Sequence, residues 1–406
     1  MKKFYVLFVS LFIAYSAGSQ GWKIQDPLPQ GHELSCIRFT DPDTGYTVGA
    51  KGTILKTTNG GIDWTSQVSG TSVYLSSVFF TVADTGYAVG DSGTILKTTN
   101  GGITWTNQVS GTSEYLSSVF FTDANTGYIV GNNTILKTTN GGINWTIQIF
   151  GIEAPLYSVY FTKPNTGYTV GYEGTLLITH DYGITWKVHD RMEGELLHSV
   201  CFADANTGFA VGFYMFDWEE QVYNGAIYKT KNGGESWKRQ YLGYDDVLYS
   251  VYFPDPDTGY AVGTNGEILK STDCGTTWKK QVSGTKKYLR SVYFTDANTG
   301  YAVGEKGIIL KTTDGGGYPS GLNELSGNLT DLKIYPNPAQ DKFTIDLSEL
   351  QGDAFLLVND VNGQMVLEQK ITEPISAIDV SALPDGIYFV KVVGEKGVQT
   401  GKLVKL

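Results

Sequence analysis

The stretch FYMFDWEEQVYN, Phe213 to Asn224, crowds aromatic rings and carboxylates into a few residues of a 406-residue chain. Two nearby segments share that character: HDRMEGELLH, His189 to His198, and RQYLGYDD, Arg239 to Asp246. Rings such as Tyr214, Trp218 and Tyr223 offer flat apolar faces with polar edges, and Glu219 and Glu220 accept hydrogen bonds from hydroxyls or amides. Together with His189, Arg191 and Asp245 they compose a candidate recognition surface for an unknown carbohydrate or protein ligand.

Reaction chemistry is harder to assemble. The 4 histidines are scattered, so no Ser-His-Asp arrangement is legible. Asp41-Pro-Asp43 and Asp255-Pro-Asp257 space carboxylates as calcium ligands are spaced, but the same turn elsewhere reads VADTG or KPNTG, and no EF-hand glycine and glutamate follow. A turn capped by its own side chain is the better reading. The loops VGDSG and VGEKG lead into strands and lack the helix N-terminus that a phosphate loop needs. Cys36, Cys201 and Cys274 are too few and too scattered for a disulfide framework or a zinc site. The chain therefore reads as non-enzymatic, with no metal and no cofactor.

The elements that must hold the recognition surface are repeats. TTNGGITW, Thr98 to Trp105, recurs as Thr57–Trp64, Thr138–Trp145, Thr179–Trp186, Thr230–Trp237 and Ser271–Trp278. A second phrase, TGYxVG or a near copy, closes on Gly49, Gly90, Gly131, Gly171, Gly212, Gly263 and Gly304. The period is about 40 residues, broken once by an insertion of about ten, and such a period with several short apolar runs marks a propeller blade. In the second unit the expected strands are Leu75–Thr81, Gly86–Val89, Thr94–Thr98 and Trp105–Val109, each rich in β-formers and bounded by Gly, Asn or Asp. TTNGGITW then falls at the reversal into the outer strand, where Asn100 caps amides and Gly101 and Gly102 take positive φ. The last copy, TTDGGGYP, has no tryptophan; Trp22, far upstream, begins WKIQ much as Trp105 begins WTNQ. The segment from Trp22 to Leu28 should therefore supply the outer strand of the last blade and close the ring.

The eight-residue box resembles the Asp-box, or bacterial neuraminidase repeat: Asp181, Asp273 and Asp314 keep its acid, and Asn59, Asn100, Asn140 and Asn232 replace it. The whole unit looks like the propeller repeat of photosystem II assembly and stability factors, from about Trp22 to Gly317. That resemblance implies an all-β, seven-bladed propeller of four-stranded blades, and assembly work as one function. Members active in photosystem assembly carry arginines along one face, whereas this chain has only Arg38, Arg191, Arg239 and Arg290. The box also resembles that of sialidases, making a secreted glycosidase the alternative; such an enzyme needs three convergent arginines, a Tyr/Glu nucleophile pair and an acid.

After residue 317 the period ends. Residues 318–331 read as a connector, and 332–406 as a small β-sandwich with alternating runs such as KFTIDL and IYFVKV. The motifs Tyr335, Pro336, Asn337 and Pro338, then Asp379–Ser381 with Gly386 and Tyr388, then a terminal Lys-Leu-Val-Lys, closely resemble the type A C-terminal sorting domain of the type IX secretion system. That resemblance implies secretion machinery as a partner and a secreted or surface-attached product. At the other end, Lys2 and Lys3, a short apolar run and Ala17-x-Ser19 read as a signal peptide over 1–19, leaving 20–317 as the propeller. No other segment is apolar enough to span a bilayer, a net charge of −11 disfavours nucleic acid, and a monomer is expected.

Overall fold

The computed structural model describes residues 21–25, 31–148, 153–192, 195–217, 222–243, 246–317, 330–347, 354–360, 365–371, 373, 375–394 and 397–406. The expected signal peptide, residues 26–28 of the expected closing strand, most of the expected connector, and Trp218, Glu219, Glu220 and Asp245 lie outside them. The chain divides into two compact units, meeting in sequence at residues 318 and 319.

The first unit is a ring of seven four-stranded antiparallel sheets. In the second blade the strands are Leu75–Val82, Thr85–Gly90, Ile95–Thr98 and Thr106–Gln108, numbered inner to outer. The second strand is buried along nearly its whole length, because neighbouring blades cover both of its faces; this is why GYAVG is continuously apolar where a half-exposed strand would alternate. Ring closure follows the expected route. Lys23–Ile24 pairs antiparallel with the third strand of the last blade, Lys23 opposite Lys311 and Ile24 opposite Leu310. Trp22 is buried there, edge-on to Phe294 at 5.8 Å and Tyr260 at 6.4 Å. Trp105 meets Phe80 in the same way at 6.1 Å, so Trp22 occupies the place of the missing box tryptophan.

The turn box is held from inside and used from outside. Asn100 accepts the Thr104 N–H at 2.9 Å, Thr98 accepts the Gly102 N–H at 2.9 Å, and Gly101 and Gly102 stand at φ 63° and 82°. Asn59, Asn140 and Asn232 accept the equivalent amide at 3.0 Å, and Asp181 and Asp273 at 2.9 and 2.8 Å. The Thr185 hydroxyl and N–H stabilise the charged form of Asp181 and pull it down to about 2. Asp314 binds the Thr312 hydroxyl at 2.8 Å and the Gly21 N–H at 3.1 Å, tying the box without a tryptophan to the closing strand. A carbonyl of each turn then receives the preceding blade: Tyr46 and Lys56 donate to Gly101 O at 2.8 and 2.7 Å, and Tyr301 and Lys311 donate to Gly60 O at 2.7 and 2.6 Å across the closure. The repeated phrase is thus a joint between blades as well as a turn.

A second belt lies near the axis. Inner-strand serines accept a backbone N–H from the next blade at 3.2–3.4 Å, from Ser77 through Ser118, Ser158, Ser199 and Ser250 to Ser291, which receives Ile37. In blade one the residue at this position is Cys36, whose sulfur lies 3.9 Å from Val78 O.

The second unit has two sheets around Phe343, Ile345, Leu356, Ile378, Val390 and Leu403. The expected sandwich is antiparallel except along its terminal strand Gly397–Lys405, beside which Thr330–Asp331, the end of the expected connector, runs parallel, with a further parallel bridge from Ala339 to Lys405. Asn337, between two cis prolyl bonds, accepts the Val404 N–H at 2.9 Å and donates to Lys402 O, fastening that strand. Asp379 accepts the Ser381 N–H at 3.0 Å, and the strand begun by Gly386 carries Tyr388, whose hydroxyl donates to Pro384 O at 2.7 Å. Tyr335 is half exposed, and Pro336 and Pro338 frame Asn337. The motif residues therefore brace the turns and the last strand of this unit.

Candidate functional site

The insertion falls in FYMFDWEEQVYN, between the second and third strands of blade five, and lengthens the hairpin they form. The two strands run Gly208–Asp217 and Val222–Thr230, with Tyr214 opposite Asn224 and Met215 opposite Tyr223. In blade two the same connection is the three-residue turn Asp91–Gly93. Once β-rich residues lengthen both arms, backbone pairing continues outward instead of looping.

Part of the expected cluster assembles at the base of this hairpin. The Tyr223 ring stands edge-on to Phe213 at 5.1 Å. The Arg239 guanidinium, from the connection toward blade six, lies 6.0 Å from the Tyr214 ring and 3.6 Å from the Glu195 carboxylate. Glu195, from the connection out of blade four, pairs in register with Tyr214 and receives the Tyr228 hydroxyl. Burial raises its pKa, against the pull of that hydroxyl and of Arg239. The three irregular segments thus meet, through Glu195, Tyr214 and Arg239. His189 stands apart: its Nε2 lies 2.9 Å from Glu235 O in the turn box of blade five. Arg191 pairs with Thr175 at the end of the outer strand of blade four. Asp41 and Asp255, each spaced from a second carboxylate as calcium ligands are, accept their own turns' amides at 2.7–2.9 Å, as capped turns do.

The hairpin leads to the axial channel. Phe213 lies 5.8 Å from His198, an inner-strand residue that also meets Tyr157 at 5.5 Å and Tyr249 at 5.1 Å. Arg290 covers Tyr249 at 4.2 Å and donates to Glu33 at 3.1 Å, which also accepts the Tyr74 hydroxyl at 3.1 Å. Three residues further along the inner strands stand Phe79, Phe120, Tyr160, Tyr252 and Tyr293, whose rings meet between neighbouring blades, and Arg38 lies 5.4 Å from Tyr293. A cavity of about 160 Å³ lies between these levels.

Two family models match the chain. Residues 333–406 match the secretion system C-terminal sorting domain. Residues 14–110, 66–150 and 234–329, together more than half of the chain, match the photosynthesis system II assembly factor YCF48. The chain belongs to the YCF48 family. Among solved structures it is similar to YCF48 bound to a D1 peptide, at 21% identity and TM-score 0.59, covering 72% of this chain and 95% of that one. YCF48 from Cyanidioschyzon merolae is similar at 22% identity and TM-score 0.56, over 72% and 98%. The WD40 propeller domain of Doa1 is similar at 12% identity and TM-score 0.57, over 72% and 96%. At these identities the likeness shows the fold. No curated protein matches. The sorting-domain match indicates export by the type IX secretion system to the cell surface or medium, and no helix among the described residues is long and apolar enough to cross a membrane.

In this YCF48-family propeller Arg38 and Arg290 rise from blades one and seven to the same axial cavity, whereas Arg239 of blade five lies against Glu195 and Tyr214. Sequence reasoning misses the channel residues Arg38, His198 and Arg290 as a group, although stacking the seven inner strands in sequence exposes them. His198 and Arg290 replace a serine that Ser35, Ser76 and Ser117 share, and Arg38 stands where five other blades have an aromatic ring.

His198 yields a pH prediction. Burial, with Arg290 nearby, pulls its pKa to about 3, so the folded state holds the ring neutral while the unfolded chain protonates near 6.5. Stability is full above about pH 6.5 and declines as the pH falls toward 3. Between pH 7 and pH 5 the loss is at most about 2 kcal/mol, lessened where the half-buried ring meets channel water. His198→Phe should flatten that slope in urea unfolding at pH 7, 6 and 5; identical slopes would refute the assignment.

Proposed function

We propose that the protein is an exported, non-enzymatic binding module. A leader at 1–19 is removed, the propeller of 20–317 binds its target, and the sorting domain at 332–406, joined through 318–331, engages the type IX machinery. The observation that carries this reading is the blade-five hairpin. It is the one place where the repeat is lengthened, and it brings Tyr214, Tyr223, Glu195 and Arg239 together beside the channel mouth. Trp218, Glu219, Glu220 and Asp245 belong by sequence to the same irregular segments and complete the proposed surface. Aromatic faces interleaved with charge suit stacking on a sugar or anchoring a peptide. A related propeller carries a bound peptide, which supports the second ligand class.

The test is a glycan array and a peptide array probed with the purified chain. Replacing Trp218 and Tyr223 together by Ala is expected to lower binding to any captured ligand at least tenfold while moving Tm by only a few degrees. Unaltered binding would remove the hairpin from the site. Turnover of chromogenic glycosides by the purified protein would replace this reading with a glycosidase.

A further inference from the structure

A second site, independent of the hairpin surface, lies on the axis. The cavity of about 160 Å³ is lined by Arg38, His198 and Arg290 and, among the described residues, by no carboxylate, inside a chain whose net charge is −11. Arg290 is neutralised by Glu33 at 3.1 Å. The Arg38 guanidinium has no ion pair or hydrogen bond among the described residues; its surroundings are Cys36 and the hydroxyl-bearing rings of Tyr160, Tyr252 and Tyr293. Tyr160 and Tyr293 commit their hydroxyls to Phe202 O and Phe39 O, at 3.2 and 3.3 Å. Two further polar atoms on the wall, Ser117 Oγ and His198 Nε2, have no hydrogen-bond partner among the described residues. Ser35 and Ser76, at the position equivalent to Ser117, bond carbonyls of the next blade at 2.6 and 2.5 Å.

An unpaired guanidinium beside aromatic walls, with two unsatisfied polar atoms toward the opposite end, describes a ligand's complement. A cation held among rings attracts a carboxylate strongly, because little water competes for it. Tyr160 and Tyr252, with Tyr157 and Tyr249, line the cavity and offer ring faces to whatever carries that carboxylate, and the volume is that of a single six-membered ring, since a cavity of about 150 Å³ holds benzene. We propose that the axial cavity binds a small organic carboxylate, its carboxylate on Arg38 and a hydroxyl at its far end on Ser117 and His198.

The test is calorimetry of the full chain with 4-hydroxybenzoate, benzoate, neutral benzamide and inorganic phosphate. The proposal expects 4-hydroxybenzoate to bind at least as tightly as benzoate, and benzamide at least tenfold more weakly. Arg38→Gln should weaken 4-hydroxybenzoate about 10- to 100-fold, the effect of losing a charged hydrogen bond. Ser117→Trp, which fills the cavity and leaves Arg38 in place, should abolish binding. Circular dichroism checks that both variants fold. No binding of either ring carboxylate at millimolar concentration, equal binding of benzamide, or full affinity in a folded Arg38→Gln variant would each overturn the proposal. Phosphate binding without benzoate binding would overturn it in favour of an inorganic anion site. Should neither variant fold, the benzoate-to-benzamide ratio of the native chain decides. None of these results bears on the hairpin surface, whose ligand is read on different residues.

Discussion

Trp22→Ala is expected to lower the unfolding free energy of the propeller by about 3–5 kcal/mol, at the upper end for a single core truncation. The side chain is 6% exposed and packs edge-on against Phe294 and Tyr260. Its position adds to that loss, since it anchors the short strand Lys23–Ile24, whose pairing with Leu310 and Lys311 covers the edge of the last blade. Trp105→Ala is the control: the same ring contact is removed, at 6.1 Å from Phe80, but the outer strand beside it stays continuous with its own blade. Denaturant unfolding should show a comparable packing loss in both. Hydrogen exchange should show accelerated opening at residues 309–312 only in the Trp22 variant. A loss under about 1 kcal/mol for Trp22→Ala would mean that the ring closes without its clasp.

Gly90→Ala should be costlier than its size suggests, on the order of 3 kcal/mol or more, with loss of soluble protein as the visible outcome. A Cβ built at Gly90 lies 2.0 Å from Tyr74 O, and at the equivalent Gly49, Gly131 and Gly304 it lies 1.9–2.0 Å from the matching carbonyl. The obstacle is backbone at the entry of the inner strand, so no side-chain rotation relieves it. Dihedral strain is not the cause, because Gly90 has an extended φ of −177°. Gly111 offers the contrast: its φ is +77° and nothing lies within 4 Å of an added methyl, so Gly111→Ala should cost only about 1–2 kcal/mol. Equal melting temperatures for the two variants would show that the inner strand can shift, contrary to this account.

Most of the fold is legible because each blade restates the same instructions. The glycine closing TGYxVG, the box asparagine and the tryptophan each appear where a close approach, a capped turn and an outer strand require them, and Trp22 is identifiable by the gap it fills. What cannot be read is which side chains face each other across the axis. Tyr46 reaching the Gly101 carbonyl, or His198 meeting Tyr157 and Tyr249, depends on the angle at which one sheet is set against the next, and no local pattern encodes that angle. The blade-five insertion is visible as a break in the period, but its continuation of the pairing of both strands outward, to Asp217 opposite Val222, is not. Nearness in sequence groups His189 with that insertion; the outer strand that carries it delivers it to a different neighbour.

The clasp also bears on the order of events during biosynthesis. Its two halves lie near opposite limits of the propeller unit, so the lock cannot engage until Thr312 has emerged from the ribosome. Until then the third strand of the last blade has no partner on its outer edge, so the first residues of the propeller unit wait for its last ones before either is covered.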